Sequence, residues 1–234
     1  LITPHLSKGA EVDLAFSGQT GSDMTSDTDT TTKIRVESLD KSFNVDGYRQ
    51  LVLDDIQLTV GEGEFVSIIG PSGCGKSTLL NIVAGLDSPD SGTVTVGGDQ
   101  GVSALGRVGY MQQKDLLLPW RTVLDNAILG LELHGVPRRQ ARTRALELTE
   151  FFGLKGFENQ YPYALSGGMK QRAAFLRTML MDQEIVLLDE PFGALDALTR
   201  VQMQAWLLEL WDSLRKTIVL ITHDMDEAIL LSDR

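Results

Sequence analysis

The sequence predicts an α/β fold, in which short buried strands alternate with helices. Three observations carry this prediction. The glycine-rich stretch Gly70–Thr78 stands between the apolar run Phe65–Ile69 and the helical segment Leu79–Ala84. A second aliphatic run, Ile185–Leu188, ends in two acidic residues, and a third, Thr217–Ile221, follows a long helical segment. Short aliphatic runs separated by helical segments are typical of buried strands in such a fold.

Length and composition bound the function classes. The 234 residues suffice for one large domain, or a domain with a subdomain, and 42% hydrophobic residues support a sizeable core. The net charge of -11 disfavours nucleic acid and anionic lipid as direct partners, because both are negatively charged. No apolar run is long enough to span a bilayer, so we expect any membrane association to run through a protein partner. The single cysteine, Cys74, excludes an internal disulfide and fits a reducing compartment.

The first part of the chain is expected to differ from the rest. Residues 1–32 are rich in Thr, Ser, Asp and Gly without sustained periodicity, which predicts a disordered leader. The ordered domain is expected to run over 33–234. It begins with β patterns at Ile34–Leu39, Leu51–Leu53 and Ile56–Val60.

The remaining elements follow in order. Strands are predicted at Thr93–Val96 and Arg107–Met111. The section from about 114 to 165 has the composition of a helical insert, with helices predicted at Val123–Leu133 and Arg138–Phe152. The later helices are predicted at Gly167–Met181, Leu198–Leu214 and Asp226–Leu231.

The glycine-rich stretch fits the phosphate-binding pattern G-x-x-x-x-G-K-[ST] in the strand–loop–helix context that the pattern needs. Its glycines let several backbone N–H groups point at one phosphate chain, next to the positive end of a helix dipole. Lys76 is expected to reach the β- and γ-phosphates, and Ser77 to ligate Mg²⁺. The candidate nucleotide-binding residues are Gly70, Pro71, Ser72, Gly73, Cys74, Gly75, Lys76, Ser77 and Thr78. The chain is therefore predicted to bind a nucleoside triphosphate.

Two further sites carry charge or anion-binding geometry. Asp189 at the end of a strand is placed to hold Mg²⁺, and Glu190 to orient or deprotonate an attacking water. A solvated strand end is the alternative for these two acids. In Leu165–Arg172, Ser166 can cap a helix whose first turn is bare glycine, which is again an anion site at a helix N-terminus. An ordinary capped helix is the alternative there. A second anion site in a chain with one phosphate loop suggests action on a nucleotide held by another copy.

Four motifs together resemble the ATP-binding cassette (ABC) ATPases. Gly70–Thr78, Leu165–Arg172, Leu187–Pro191 and Ile221–Asp224 occur in the order of that family, and the resemblance covers roughly residues 34–234. It implies an α/β P-loop NTPase domain of the ABC type with an antiparallel β subdomain and a helical subdomain. It also implies that the chain is shortened at its C-terminus, because the family usually adds further strands there.

The resemblance also assigns roles to residues. The catalytic residues would be Lys76, Gln113, Glu190 and His223; those holding Mg²⁺ would be Ser77, Gln113 and Asp189; and those contacting ATP outside the loop would be Phe43, Ser166, Gly167, Gly168 and Asp196. Phe43 resembles the aromatic that stacks on adenine, although a role in core packing is an alternative. Gln112 competes with Gln113 for the place of the family glutamine, and we prefer Gln113 from its spacing to the segment that follows. His223, in the position of the family's switch histidine, would bond the γ-phosphate.

The run Leu117–Asn126 narrows the resemblance to importers of nitrate, sulfonates, taurine and thiamine-precursor pyrimidines. Its apolar residues predict a docking surface, with local core as the alternative for Trp120. We therefore predict the ATP-hydrolysing subunit of an importer of small solutes, at the cytoplasmic face of the membrane. Its implied partners are a second copy in a head-to-tail dimer clasping ATP, permease subunits, and indirectly a solute-binding protein, with no nucleic acid.

The alternative function is that of a soluble, non-transport ABC ATPase. Translation types carry two cassettes, whereas this chain has one set of motifs. Repair types insert a long coiled coil between the phosphate loop and the signature, whereas Lys76 and Ser166 are only 90 positions apart. A P-loop kinase or GTPase would leave Leu165–Arg172 unexplained.

Overall fold

The structure is a computed structural model that describes residues 32–98 and 104–234. The predicted leader lies outside these residues except for Thr32, which begins the first strand and was wrongly included in the leader. The strands are β1 (Thr32–Val45), β2 (Tyr48–Gly61), β3 (Phe65–Ile69), β4 (Ser91–Val96), β5 (Val108–Met111), β6 (Ile185–Asp189) and β7 (Thr217–Thr222). The helices are α1 (Lys76–Val83), α2 (Val123–Ala127), α3 (Leu129–Leu133), α4 (Arg138–Thr149), α5 (Gly167–Leu180), α6 (Ala197–Leu214) and α7 (Met225–Leu231), with a short 3-10 helix at Pro162–Ala164.

Within the described residues, the strands form two sheets. One is antiparallel, in the order β2-β1-β4, and the other is parallel, in the order β3-β7-β6-β5. The phosphate loop follows β3, and the acids Asp189 and Glu190 follow β6, which is separated from β3 by β7 alone. Since parallel strands end at the same edge of their sheet, the loop, the acids and His223 after β7 meet at one edge.

Two hydrophobic cores flank the parallel sheet. Side chains of β6 alternate between them: Ile185 and Leu187 face the core shared with α1 and the antiparallel sheet, while Val186 and Leu188 face the core shared with α2 to α6. Every residue of β6 is buried, which explains why this strand reads as a continuous aliphatic run.

The structure differs from the predicted elements in two places. The β patterns at Leu51–Leu53 and Ile56–Val60 belong to one strand, β2, which pairs with β1 through several register shifts. The helix predicted at Val123–Leu133 is interrupted at Ile128. The interruption adjoins Gly130, where the side chain of Met181 packs too closely to leave room for a Cβ. Among the described residues, no helix combines the length and the apolar character required to cross a bilayer.

Candidate functional site

The phosphate loop is held against the β1–β2 hairpin at a glycine. Gly75 precedes α1 with φ +100°, a conformation that favours glycine, and an added Cβ would lie 2.8 Å from Leu53 Cδ2 and 2.9 Å from the carbonyl oxygen of Val52. Lys76 Nζ donates hydrogen bonds to the carbonyl oxygens of Gly70 at 2.8 Å and of Pro71 at 2.9 Å. The lysine ammonium is therefore already turned back over the loop, on the side where it can meet phosphate oxygens.

A cavity of about 320 Å³ opens beside this loop. It gathers residues from the antiparallel sheet, from the phosphate loop and α1, and from the segments after β5 and β6. The lining residues are Phe43, Val52, Ser72, Gly73, Gly75, Lys76, Ser77, Thr78, Gln113 and Glu190. Six of the nine predicted phosphate-binding residues, Lys76 among them, thus share one cavity with Gln113 and Glu190. Its walls combine an apolar end with a polar end, as a nucleotide needs.

Phe43 forms part of the apolar end of the cavity. Its side chain is 39% exposed, so the alternative that placed it in the core is wrong. The Lys41 ammonium stands 5.1 Å from the ring centroid and is itself held by Asp87 at 2.7 Å and by the carbonyl oxygen of Ser88 at 2.6 Å. The ring is therefore fixed by a cation–π contact rather than by burial, which suits a stacking surface.

Asp189 is the last residue of β6 and precedes Glu190, which lines the cavity. Only 3% of it is exposed, and the Ser77 hydroxyl lies beside its carboxylate. Burial, together with the neighbouring Glu190 charge, raises the pKa of the Asp189 carboxyl, while Ser77 and the Lys76 ammonium oppose that rise. A buried carboxylate in contact with a hydroxyl is an oxygen-donor pair of the kind that Mg²⁺ prefers.

Glu190 is held by four contacts with other segments. Its backbone N–H donates to Ile221 O at 2.9 Å, and its carbonyl accepts from Gln171 Nε2 at 3.1 Å. Its Oε2 accepts from Gln113 Nε2 at 3.2 Å and lies 3.5 Å from His223 Nδ1. Glu190 also has φ +49°, an uncommon value for a residue other than glycine. The backbone contacts hold this conformation and aim the carboxylate at the cavity.

Gln113 and His223 both lie beside Glu190. Gln113, preferred over Gln112, lines the cavity and contacts Glu190. The His223 side chain is 63% exposed beside the same carboxylate. Sequence reasoning missed Gln171, which joins α5 to the Glu190 carbonyl. Its only signal was its place inside the motif Leu165–Arg172, where attention fell on the serine and the glycines.

The Ser166 segment lies elsewhere in the fold. Ser166 Oγ accepts from Met169 N at 3.2 Å and so caps α5. Among the described residues, none has a heavy atom within 4 Å of a Cβ added at Gly167, whereas one added at Gly168 would lie 3.2 Å from Ala194 O. The residues that line the cavity, all of them described, do not include Ser166, Gly167, Gly168 or Asp196. The chain therefore brings together the phosphate loop, Asp189, Gln113, Glu190 and His223, and leaves its second anion site open.

Asp196 ends the segment next to Gly168 and caps α6. Its carboxylate accepts from Thr199 N at 3.0 Å and from Thr199 Oγ1 at 2.7 Å. The hydrogen bond from the Thr199 backbone N–H is the main cause that lowers the pKa of Asp196. Its carboxylate is thus ionised and occupied by its own helix.

The sequence pattern of the ABC transporter family matches residues 53–193, which include the phosphate loop, the Ser166 segment and both acids. The chain belongs to the ABC transporter family. With this match, the predicted mixed α/β P-loop fold of the ABC type is confirmed.

Curated relatives agree. The formylaminopyrimidine import ATP-binding protein ThiZ of Halalkalibacterium halodurans is 48% identical over 183 residues, which cover 78% of this chain and 71% of ThiZ. The taurine import ATP-binding protein TauB of Pseudomonas aeruginosa is 42% identical over 200 residues, covering 86% of this chain and 76% of TauB. The aliphatic sulfonates import ATP-binding protein SsuB of Bacillus subtilis is 45% identical over 201 residues, covering 86% and 77%.

Solved structures agree as well. The dimeric bacterial ABC transporter cassette MJ0796 superposes with a TM-score of 0.77 at 34% identity, covering 84% of this chain and 90% of that cassette. The same cassette is known in a dimeric post-hydrolysis state bound to ADP and phosphate, with a TM-score of 0.76. The predicted enzyme class is confirmed: the chain is an ABC-type ATPase that binds ATP.

Proposed function

We propose that this chain is the ATP-hydrolysing subunit of an importer of small solutes, working as a head-to-tail dimer beneath membrane permease subunits. The observation that carries the proposal is the convergence of Gln113 and His223 on one carboxylate oxygen of Glu190, at the edge of the cavity that holds Lys76. This is an arrangement for directing a water at a bound phosphate, beyond what nucleotide binding alone requires.

Each polar side chain has a distinct role in the proposed hydrolysis. Lys76 and the backbone N–H groups of the loop neutralise charge on the phosphates. Glu190, as general base, accepts the proton of the attacking water. Gln113 and His223, which both contact the Glu190 carboxylate, keep it turned toward that water, and His223 bonds the γ-phosphate. Gln171 secures the Glu190 backbone from α5, so the base is fixed at both ends.

Three residues fit a magnesium ion that accompanies ATP. The Ser77 hydroxyl lies beside the Asp189 carboxylate, and the amide oxygen of Gln113 stays available when its nitrogen donates to Glu190. Hydroxyl, carboxylate and amide oxygens are all suitable ligands for this hard cation. A Mg²⁺ ion held by these residues would supply positive charge that offsets the negative charge developing during phosphoryl transfer.

A head-to-tail dimer accounts for the open second anion site. Ser166 and Gly167 present a capped helix N-terminus to open space, and a helix N-terminus attracts phosphate. In a head-to-tail dimer, this segment of each copy would face the Lys76 loop of the other. The dimeric neighbour cassette, at 34% identity, supports this assembly.

A rigid apolar turn supplies a docking surface for a permease. Trp120 is 71% exposed, so the alternative that buried it is wrong, and Leu116 is also exposed. Arg177 on α5 donates to the carbonyl oxygens of Asp115 and Leu116 at 2.7 and 2.8 Å. The buried side-chain amide of Asn126 also holds the turn at Leu118. Its Oδ1 accepts from the Leu118 backbone N–H, and its Nδ2 donates to the Leu118 carbonyl oxygen. Since the turn follows Gln113 directly, force on it would reach the hydrolytic site.

The named relatives, which are import proteins for a formylaminopyrimidine, taurine and aliphatic sulfonates, support the proposed solute class and location. We place this chain at the cytoplasmic face of a membrane, served indirectly by a solute-binding protein. A soluble, non-transport role finds no support among these relatives.

Co-purification from native membranes tests the proposal. Affinity-tagged chain should recover an integral membrane protein identified as a permease by mass spectrometry, and ATP hydrolysis should rise in that complex. Trp120→Ala should lose the permease yet keep basal hydrolysis, whereas Ile229→Ala, which removes an equally exposed apolar side chain from α7, should keep both. Recovery of the tagged chain without any membrane protein would contradict the importer role.

A further inference from the structure

A polar cluster behind His223 belongs to none of the roles above. His223 stands between Thr222, the last residue of β7, and Asp224, which caps α7 by accepting from Asp226 N at 2.9 Å and Glu227 N at 3.3 Å. Thr222 Oγ1 donates to Glu227 Oε2 at 2.6 Å and accepts from Asp224 N at 3.0 Å. Both neighbours of His223 are therefore tied to the buried Glu227, Thr222 through the Glu227 carboxylate and Asp224 through the Glu227 backbone N–H.

Arg200 on α6 reaches this cluster from the opposite side. Its Nη1 lies 3.8 Å from Asp224 Oδ2, and its Nε lies 3.8 Å from Glu227 Oε1. Glu227 Oε1 also accepts from Gln204 Nε2 at 3.1 Å, one turn further along α6. A single guanidinium thus stands between the two carboxylates that flank the His223 turn.

The same guanidinium also grips the start of α6. Arg200 Nη2 donates to the carbonyl oxygen of Leu195 at 3.3 Å. Leu195 lies in the segment 193–196, which contacts the Ser166 helix because Gly168 approaches Ala194 O. Arg200 is therefore a physical link between the segment beside the second anion site and the turn that carries His223.

We propose that Arg200 is a positioning residue for hydrolysis, which holds the His223 turn in register with segment 193–196. The proposal deepens the proposed function, on which it rests: when a partner's nucleotide meets the Ser166 helix, Arg200 would carry that contact to the histidine. It assigns Arg200 no contact with ATP itself.

The chemistry favours arginine at this position. A guanidinium presents donors on three nitrogens in a fixed plane, so it can serve a carbonyl and two carboxylates at once, whereas a lysine ammonium is a point charge. Within the described part of the chain, Arg200 Nε is buried and has no hydrogen-bond partner. An unpaired buried donor is unfavourable, so the free energy of the chain would fall if the Glu227 carboxylate moved close enough to accept a hydrogen bond from Arg200 Nε.

The test uses the full chain with Arg200→Met, which keeps much of the side chain and removes its charge. We expect kcat for ATP hydrolysis to fall about 10-fold or more while KM for ATP stays within about 2-fold, because a displaced catalytic group costs rate rather than binding. Lys155→Met is the matched control, since it removes a cation from an exposed pair with Glu150, and it should leave both parameters unchanged.

A spectroscopic readout separates positioning from general loss of stability. The sequence holds three histidines, His5, His134 and His223, so the imidazole NMR signals of the chain can be assigned with His223→Ala. Arg200→Met should shift the His223 signals and leave those of the other two in place. Should that variant fail to fold, Arg200→Lys takes its place with the same two readouts, since it keeps the charge and loses the planar fork.

The outcomes are distinct. Unchanged kcat, or a lower kcat with unmoved His223 signals, would overturn the positioning role while leaving the proposed function intact. If the unsubstituted chain bound no membrane permease, the proposed function would fail on its own account. A shifted His223 signal with reduced kcat and constant KM supports the inference.

Discussion

The two anion-binding regions of this chain are built from the same parts and differ in their surroundings. Each is a glycine-bearing segment at the N-terminus of a helix, α1 after Gly75 and α5 after Ser166. The loop before α1 is enclosed by residues from β1, β2 and the segments after β5 and β6. The residues at the start of α5 do not line that cavity, and a Cβ added at Gly167 would meet open space.

The difference teaches where each region finds its charge partner. The α1 region gathers a cation, acids and a histidine from one chain, and these are the side chains that the proposed hydrolysis uses. The α5 region has a helix dipole and bare backbone but no catalytic side chain beside it, because its serine and Asp196 are spent on capping. Under the proposed function it is one half of a site, and a second copy supplies the other half.

Removal of the general base should have the largest effect. Glu190→Gln keeps the size of the side chain and a hydrogen bond to Gln113, but cannot accept a proton, so turnover should fall by about 10² to 10⁴. ATP binding should persist, because the phosphate loop is untouched. Phosphate release and ATP titration measure the two effects. Glu209→Gln, at an exposed position of α6, is the control and should match the unsubstituted chain. Turnover near normal in Glu190→Gln would remove Glu190 from the role.

Mixing two inactive chains should reveal whether the α5 region acts in trans. Lys76→Ala removes the cation of the phosphate loop. Gly167→Asp places a negative charge at the start of α5, where an added side chain meets open space. In a symmetric head-to-tail dimer, a mixed pair holds one site made of two undamaged halves, so about a quarter of the activity should return on equal mixing.

Hydrolysis rates of the mixture and of each parent decide the outcome. Gly167→Ala mixed with Lys76→Ala serves as the uncharged counterpart. If the mixture were no more active than the parents together, both regions would act on a nucleotide within one chain, and the comparison drawn above would be wrong.

Sequence reasoning reached the elements and the site residues because they depend on local pattern. The aliphatic run before Asp189 and the glycine spacing around Lys76 predict a strand and a loop without knowledge of neighbours. The cation–π contact of Lys41 with Phe43 was not predicted, because Lys41 is positioned by Asp87, which is distant in sequence. Arg200 was missed for the same reason, since its partners lie in the turn after β7, in α7 and in the turn before α6.

Helix interruption was also beyond sequence reasoning. The run Val123–Leu133 has helical composition throughout, and its interruption at Ile128 lies beside the packing of Met181 on Gly130. A contact between segments about fifty residues apart leaves no trace in local periodicity.

Substitution of Gly73 or Gly75 tests whether the β1–β2 hairpin supports the phosphate loop. Both have positive φ, so an added Cβ strains each backbone by about 1–2 kcal/mol. At Gly75 the Cβ would also press on Val52 and Leu53, which should cost at least about 1 kcal/mol more, whereas at Gly73 it meets no described atom within 4 Å. Thermal unfolding should therefore rank Gly75→Ala below Gly73→Ala. Equal melting temperatures would mean that the hairpin does not support the loop.

The smallest effect should come from the buried charge of Asp189. Because burial raises the pKa of Asp189, the ionised carboxylate is less favourable in the folded chain than in the unfolded one. The contribution of this group to stability is therefore complete below the ordinary carboxyl pKa, about 4, and is lost as the pH rises through the raised value. Asp189→Asn, measured without nucleotide or Mg²⁺, should be more stable than the unsubstituted chain at neutral pH, and this gain should shrink as the pH falls through the raised pKa and should have disappeared by about pH 4. Asp212→Asn, at an exposed ion pair with Arg215, should show no such dependence.

A variant at Asp189 that was less stable at every pH would mean that Ser77 and Lys76 outweigh burial, and that the acid is kept for stability as well as for the metal. If Asp189→Asn is more stable at neutral pH, the ionised carboxylate destabilises the folded chain, and we expect a cation bound beside it to offset that destabilisation.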